Sequence, residues 1–150
     1  MSDRPTAPRF EQLRPASQAA SQTKRRNKAR GTEAELALRQ QLWSLGLRYR
    51  LHAKDLPGKP DIVFRRQQLA VFVDGDFWHG RDWEARRRKL AAGHNAQYWL
   101  DKIGYNRARD RRNTQQLEAA GWRVIRFWET DVKRAPRRAA EIVQAALSQG

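Results

Sequence analysis

Three side chains have types and surroundings suited to chemistry. Asp61 closes the run Pro57-Gly58-Lys59-Pro60-Asp61, Asp74 follows the apolar residues Leu69-Ala70-Val71-Phe72-Val73, and His79 lies within Phe77-Trp78-His79-Gly80. Carboxylates supply the hard oxygen ligands that Mg²⁺ takes, and that ion keeps several waters and reaches phosphate oxygens of a substrate. Metal held in this way lowers the pKa of a bound water and offsets charge building on a phosphate. An imidazole within reach moves a proton in the same step. Each residue also has a plainer reading. Asp61 and Asp74, beside Pro60 and Gly75, are turn-forming types, and a lone histidine is usually functionless, as is expected of His52 and His94.

The rest of the chain favours an anionic partner. Its 150 residues suit one compact domain with a tail, and a hydrophobic fraction of 39% suits one modest core. Lys and Arg number 31 against 16 Asp and Glu, a formal charge of +15. Such an excess repels itself unless a polyanion answers it, and nucleic acid is the default partner, with an anionic membrane surface as the rival. No apolar run is long enough for a membrane span, and the polar, basic first thirty residues do not read as a signal peptide. The expectation is a cytoplasmic protein, monomeric, without membrane contact. Cysteine is absent, which excludes disulfides and thiolate metal sites.

Positioning these residues requires a sheet. Residues 1–30, with Pro5, Pro8, Pro15 and the cluster Lys24-Arg25-Arg26-Asn27-Lys28-Ala29-Arg30, read as a flexible basic arm, and residues 31–150 as the folded domain. Thr32-Glu33-Ala34-Glu35 has the form of a capping box. Leu36, Leu38, Leu42, Trp43 and Leu45 continue it as a helical apolar stripe that Gly46 stops. Strands follow at 47–51, 61–64 and 69–73, the last apolar throughout and therefore central. Helical periodicity is expected over 96–120, a strand over 122–128 and a closing helix from Pro136 to about Leu147. The order is αβββαβα, an α/β class with a mixed central sheet flanked by helices. A hairpin between the second and third strands would bring Asp61 and Asp74 together at one sheet end.

That order, with Pro60-Asp61 leading the second strand, resembles the PD-(D/E)xK, or restriction-endonuclease-like, nuclease fold. More specific are four motifs in sequence: Asp55-Leu56-Pro57-Gly58-Lys59-Pro60-Asp61, then Val71-Phe72-Val73-Asp74-Gly75-Asp76-Phe77-Trp78-His79-Gly80, then Trp99-Leu100-Asp101-Lys102-Ile103-Gly104-Tyr105-Asn106-Arg107-Ala108-Arg109-Asp110, and finally Gly121-Trp122-Arg123-Val124-Ile125 with Trp128-Glu129. Together they resemble the very short patch repair (Vsr) endonucleases, from about Thr32 to Glu129.

The resemblance implies Mg²⁺-dependent nicking of one strand of duplex DNA beside a T:G mismatch. By the same resemblance Asp61 is the metal-binding aspartate, and Val73 lends its backbone carbonyl to the metal. His79 is the general base or acid, Asp74 stands where some members carry histidine and others aspartate, and Glu35 is a helical carboxylate near the metal. Phe77, Trp78 and Trp99 match aromatics that wedge into the base stack. Unstacking a step costs a few kcal/mol, which flat aromatic faces offset, and a mismatched step opens more cheaply than a paired one. Lys102, Asn106, Arg107 and Arg109, with Arg25 and Arg26 of the arm, are the expected DNA contacts, and Arg86-Arg87-Arg88-Lys89 reads as a phosphate track or a solvated helix face. Glu35 also serves as the cap acid; Phe77, Trp78 and Trp99 also suit a core, where Trp43, Trp122 and Trp128 are expected.

One departure is plain. The founding members hold a structural zinc with Cys and His, whereas the corresponding positions here are Asp76, Arg81, Trp83 and Thr130. No structural zinc is expected, and an Asp76–Arg81 ion pair with packing by Trp83 is expected to brace the region instead. The change leaves two alternatives open: a related endonuclease of restriction or mobile-element systems without mismatch specificity, and a non-catalytic DNA-binding protein on the same fold.

Overall fold

The computed structural model describes residues 32–149. The expected arm, including Arg25 and Arg26, lies outside the described residues. Helix α1 (Glu33–Ser44) starts at Thr32, whose hydroxyl accepts the Glu35 N–H at 3.1 Å. The Glu35 carboxylate of the expected capping box meets His52. Four strands follow as β1 (Arg50–Leu51), β2 (Ile62–Phe64), β3 (Leu69–Asp74) and β4 (Arg123–Trp128), in the sheet order β1-β2-β3-β4. The first two pairings are antiparallel, and β3–β4 is parallel. A parallel pair needs a long crossover, and α2 (Trp83–Ala91) and α3 (Ala96–Ala119) provide it. Two helices close the chain, α4 (Glu129–Arg134) and α5 (Pro136–Ser148), the latter with proline in its first turn.

The α/β class, the mixed sheet and the central place of β3 are as expected. Two short helices, α2 and α4, were not expected from periodicity, and β1 is shorter than residues 47–51. Among the described helices none is long and apolar enough to cross a membrane.

Strand alternation divides the interior in two. Ile62, Phe64, Leu69 and Val71 pack with Ala34, Leu38 and Leu42 of α1, Val132 of α4, and Ala139, Ala140 and Val143 of α5. Val63, Ala70 and Phe72 face the other way, against Ala53 and Leu117, with Leu56, Trp122 and Val124 at the margin. On that second face Phe72 is in register with Arg126, and Asp74 with Trp128. Long helix α3 covers it.

Trp43 corrects an expectation: it is 56% exposed rather than core. Ala34, Leu38 and Leu42 already fill the inward stripe of α1. The indole instead carries the Arg48 guanidinium 3.4 Å from its centroid and meets the edge of Tyr49. Trp122 and Trp128 are half-buried.

Candidate active site and nucleic-acid interface

At the end of the sheet where β3 stops, a cleft of about 850 Å³ opens between α1, the β1–β2 loop, β3 and α3. Glu35, Asp61, Val73, Asp74, Trp78, His79, Asn106 and Arg109 all line it. The fold thus brings these eight sequence-predicted residues to one cleft.

Asp61 immediately precedes β2, behind the fully buried Pro60. Its Oδ2 accepts the Val73 N–H at 2.8 Å, so the carboxylate continues the β2–β3 ladder just before β2 begins. N–H and C=O of one strand residue face the same neighbour, so the Val73 carbonyl also faces the Asp61 side. Burial pushes the Asp61 carboxyl up to about 6, against the Val73 hydrogen bond, and the nearby charges of Glu35 and Asp74 push the same way. Glu35 and Asp74 line the same cleft as Asp61, and carboxylate oxygens are the hard donors that Mg²⁺ takes.

Glu35 is buried, and its Oε1 lies 2.9 Å from His52 Nε2. His52 thus has a partner that its isolated place in the sequence did not suggest. Its backbone is left-handed, at φ 50°.

Asp74 is the last residue of β3 rather than a turn residue beyond it, and it is 6% exposed. Arg126 Nη1 donates to both of its oxygens, at 3.2 and 3.0 Å. Burial raises the Asp74 pKa, with His79 and Arg126 opposing. His79 turns back over the strand end, its Nδ1 hydrogen-bonded to Asp110 Oδ2 of α3 and 3.8 Å from Asp74 Oδ1. Burial favours the neutral ring, yet the Asp110 hydrogen bond and the charges of Asp74 and Asp110 outweigh it and raise the His79 pKa. Gly80 makes the turn possible. At φ +69° a Cβ there would lie 2.7 Å from Arg107 Cδ and 2.8 Å from Ile103 Cγ2.

Asp110 and Arg126 had no role assigned from the sequence. Asp74, His79 and Asp110 each present a ligand atom within 4.8 Å of the others, the one such group among the described residues. Arg126 already supplies positive charge there, 3.0 Å from Asp74 and 3.9 Å from Asp110. A divalent ion bound by these three side chains would have to compete with that guanidinium.

The three aromatics expected to wedge into DNA pack on one another. Ring centroids are 5.4 Å apart for Phe77–Trp78, 5.1 Å for Phe77–Trp99 and 5.8 Å for Trp78–Trp99. Trp78 and Trp99 are 8% exposed. Lys102 and Asn106 are also buried, and Asn106 Nδ2 donates to the Trp78 carbonyl at 2.8 Å, tying the aromatic turn to α3. Arg107 lies over Trp83, and Arg109 lines the cleft beside Tyr105. The Arg86-Arg87-Arg88-Lys89 run is on α2, which buries none of its residues.

The zinc-position substitutes make a compact polar knot. Arg81 Nη1 donates to Asp76 Oδ2 at 3.2 Å and to Asp131 Oδ1 at 3.0 Å, while Asp76 Oδ1 accepts the Thr130 N–H at 3.1 Å. The segment after β3 is thereby tied to α4. Trp83 packs under Arg107.

Comparison with known proteins points to one family of nucleases. The sequence model described as DNA mismatch endonuclease Vsr matches residues 15–85. A type II nicking enzyme of Neisseria meningitidis serogroup C, V.NmeDIP, is 46% identical over 121 residues, covering 81% of this chain and 80% of that protein. Another from Haemophilus parainfluenzae, V.HpaIIP, is 40% identical over 121 residues, covering 81% and 84%. The DNA mismatch endonuclease Vsr of Escherichia coli strain K12 is 38% identical over 100 residues, covering 67% and 62%. With this similarity spread over most of the described domain, on a mixed sheet whose strand ends carry the acidic cleft, the chain belongs to the Vsr family of DNA nucleases, within the PD-(D/E)xK superfamily.

Proposed function

We propose that this protein nicks one strand of duplex DNA beside a T:G mismatch, using Mg²⁺ at Asp61. The observation that carries the proposal is the one cleft that Asp61, Glu35 and His79 all line, with Trp78 of the Phe77–Trp78–Trp99 cluster in its wall. Relatives named as type II nicking enzymes and as a DNA mismatch endonuclease support both the single-strand cut and the mismatch.

Asp61 and the Val73 carbonyl would hold the metal, with Glu35 close by. When bound, Mg²⁺ supplies an activated water and offsets charge on the phosphate under attack. The protein's own groups do the rest. The Val73 N–H fixes the Asp61 carboxylate. Asp110 fixes the His79 ring through Nδ1, leaving Nε2 as the nitrogen that meets substrate. With its pKa raised by two carboxylates, the ring carries a proton at Nε2 that passes to the leaving oxygen as the P–O bond breaks. The Phe77–Trp78–Trp99 rings would offer stacking faces to an unstacked step once they part from one another, and the cleft-wall cations Lys54, Lys59, Arg109 and Arg112 would take phosphates.

The decisive experiment compares nicking of T:G and T:A duplexes of one sequence with Mg²⁺. Preferential, single-strand cleavage of the T:G duplex is expected. Asp61→Ala should abolish it while leaving DNA affinity largely intact. Equal cleavage of both duplexes would favour a nuclease without mismatch preference, and no cleavage of either a non-catalytic DNA-binding role. Affinity should fall by roughly 10³ or more between about 50 and 200 mM salt if six or more phosphates are contacted.

A further inference from the structure

Arg126 is a charged residue in the middle of β4, on the same sheet face as Ala70, Phe72 and Asp74. All three nitrogens of its guanidinium have protein acceptors. Nε donates to Thr114 Oγ1 at 2.9 Å, Nη1 to both Asp74 oxygens, and Nη2 to the Asp110 carbonyl at 3.2 Å. Its plane rests on Phe72, 3.9 Å from the ring centroid. Thr114 and Asp110 are one helical turn apart on α3, so one planar fork ties the end of β3 to the helix that carries Asp110. Those are the two places from which carboxylates reach His79 Nδ1.

We propose that Arg126 is a positioning residue for His79. It fixes Asp74 and Asp110 on either side of the imidazole and supplies the positive charge that this Asp–His–Asp group would otherwise draw from a metal ion. A fork with every nitrogen occupied is poorly placed to grip a DNA phosphate, so its effect passes through the two carboxylates to the ring. The charged groups acting on His79 are Asp74 from β3 and Asp110 and Arg109 from α3, and Arg107, Arg111 and Arg126 line the pocket beside it. This inference rests on the reading that His79 performs proton transfer in DNA cleavage.

The test measures single-turnover nicking of a T:G duplex at saturating enzyme, alongside duplex affinity without metal. Variants are Arg126→Met, Arg126→Lys, Asp74→Asn, the double variant Arg126→Met/Asp74→Asn, and His79→Ala as reference. Arg126→Met is expected to slow cleavage by roughly 10- to 100-fold, the scale of a misplaced catalytic group. Duplex affinity should stay within about twofold, marking a loss confined to the chemical step. Arg126→Lys, which keeps the charge but not the fork, should recover part of the rate. The double variant should be no slower than the slower single, since two residues acting as one unit are not additive. Cleavage at the parental rate by Arg126→Met while His79→Ala is inactive would overturn the proposal, as would additive losses or a loss confined to affinity. If Arg126→Met does not fold, Arg126→Lys and Asp74→Asn decide: an unchanged rate in both overturns it. Normal cleavage by His79→Ala would instead remove the underlying reading of His79, and this proposal with it.

Discussion

Replacing Asp61 with asparagine should stabilise the metal-free protein while removing its activity. The Asp61 carboxyl is pushed from an ordinary 3.8 up to about 6, chiefly by burial, with Glu35 and Asp74 adding to it. At about 1.36 kcal/mol per pH unit, that gap represents a ceiling of roughly 3 kcal/mol against the folded state once the group is ionised. The folded value is the higher one, so the native protein binds this proton more tightly than the unfolded chain does. The penalty is absent well below pH 3.8, grows as pH rises through the window from 3.8 to about 6, and is complete above it. An asparagine amide carries no charge and its oxygen still accepts from the Val73 N–H. The advantage of Asp61→Asn over the parent should therefore grow by about 2 kcal/mol between about pH 4.5 and 7.5. Urea melts of both proteins at the two pH values, with chelator present, measure it. Millimolar Mg²⁺ at pH 7.5 should then stabilise the parent and not the variant, because only the carboxylate gains from the cation. A variant less stable than the parent at pH 7.5, or a gap that does not change with pH, would refute this reasoning.

Asp110→Asn removes the hydrogen-bonded charge that raises the His79 pKa. If the protonated ring acts, activity is present below that pKa and lost above it, so the alkaline limb of the rate profile should move to lower pH; an unmoved limb would assign it to another group. Arg81→Met, which cuts the ties to Asp76 and Asp131, should lower the melting temperature, whereas a zinc chelator should leave the parent's unchanged. A large chelator effect would show that metal, not the ion-pair knot, braces the turn. Trp78→Phe keeps a ring against Phe77 and Trp99 but narrows the stacking face. It should reduce the T:G over T:A preference in cleavage more than it weakens binding to matched DNA, and an equal loss on both duplexes would mark Trp78 as a packing residue only.

Much of this molecule follows from short-range pattern. Thr32 must cap whatever helix begins there, the unbroken apolar run before Asp74 has to be an interior strand, and Pro60-Asp61 marks the start of another. Four motifs in order are enough to identify the family, and Asp61, Asp74, His79 and Glu35, which the motifs and the cap single out, all line one cleft. Asp110 and Arg126 are not singled out in this way. They lie 31 residues from His79 and 52 from Asp74, respectively, and local periodicity carries no information about a pairing set by parallel register and by one face of a long helix. A signal existed in Arg126 itself, since a cation among Val124, Ile125 and Phe127 in a strand must find an anion. The same limit explains Trp43. Its apolar type is local, but whether α1 had room for it inside depended on which residues of α4 and α5 had already filled that face. Residue types thus determined which groups could do chemistry. Which of them touch was decided by the tertiary structure, because contact between distant positions depends on the packing of whole elements.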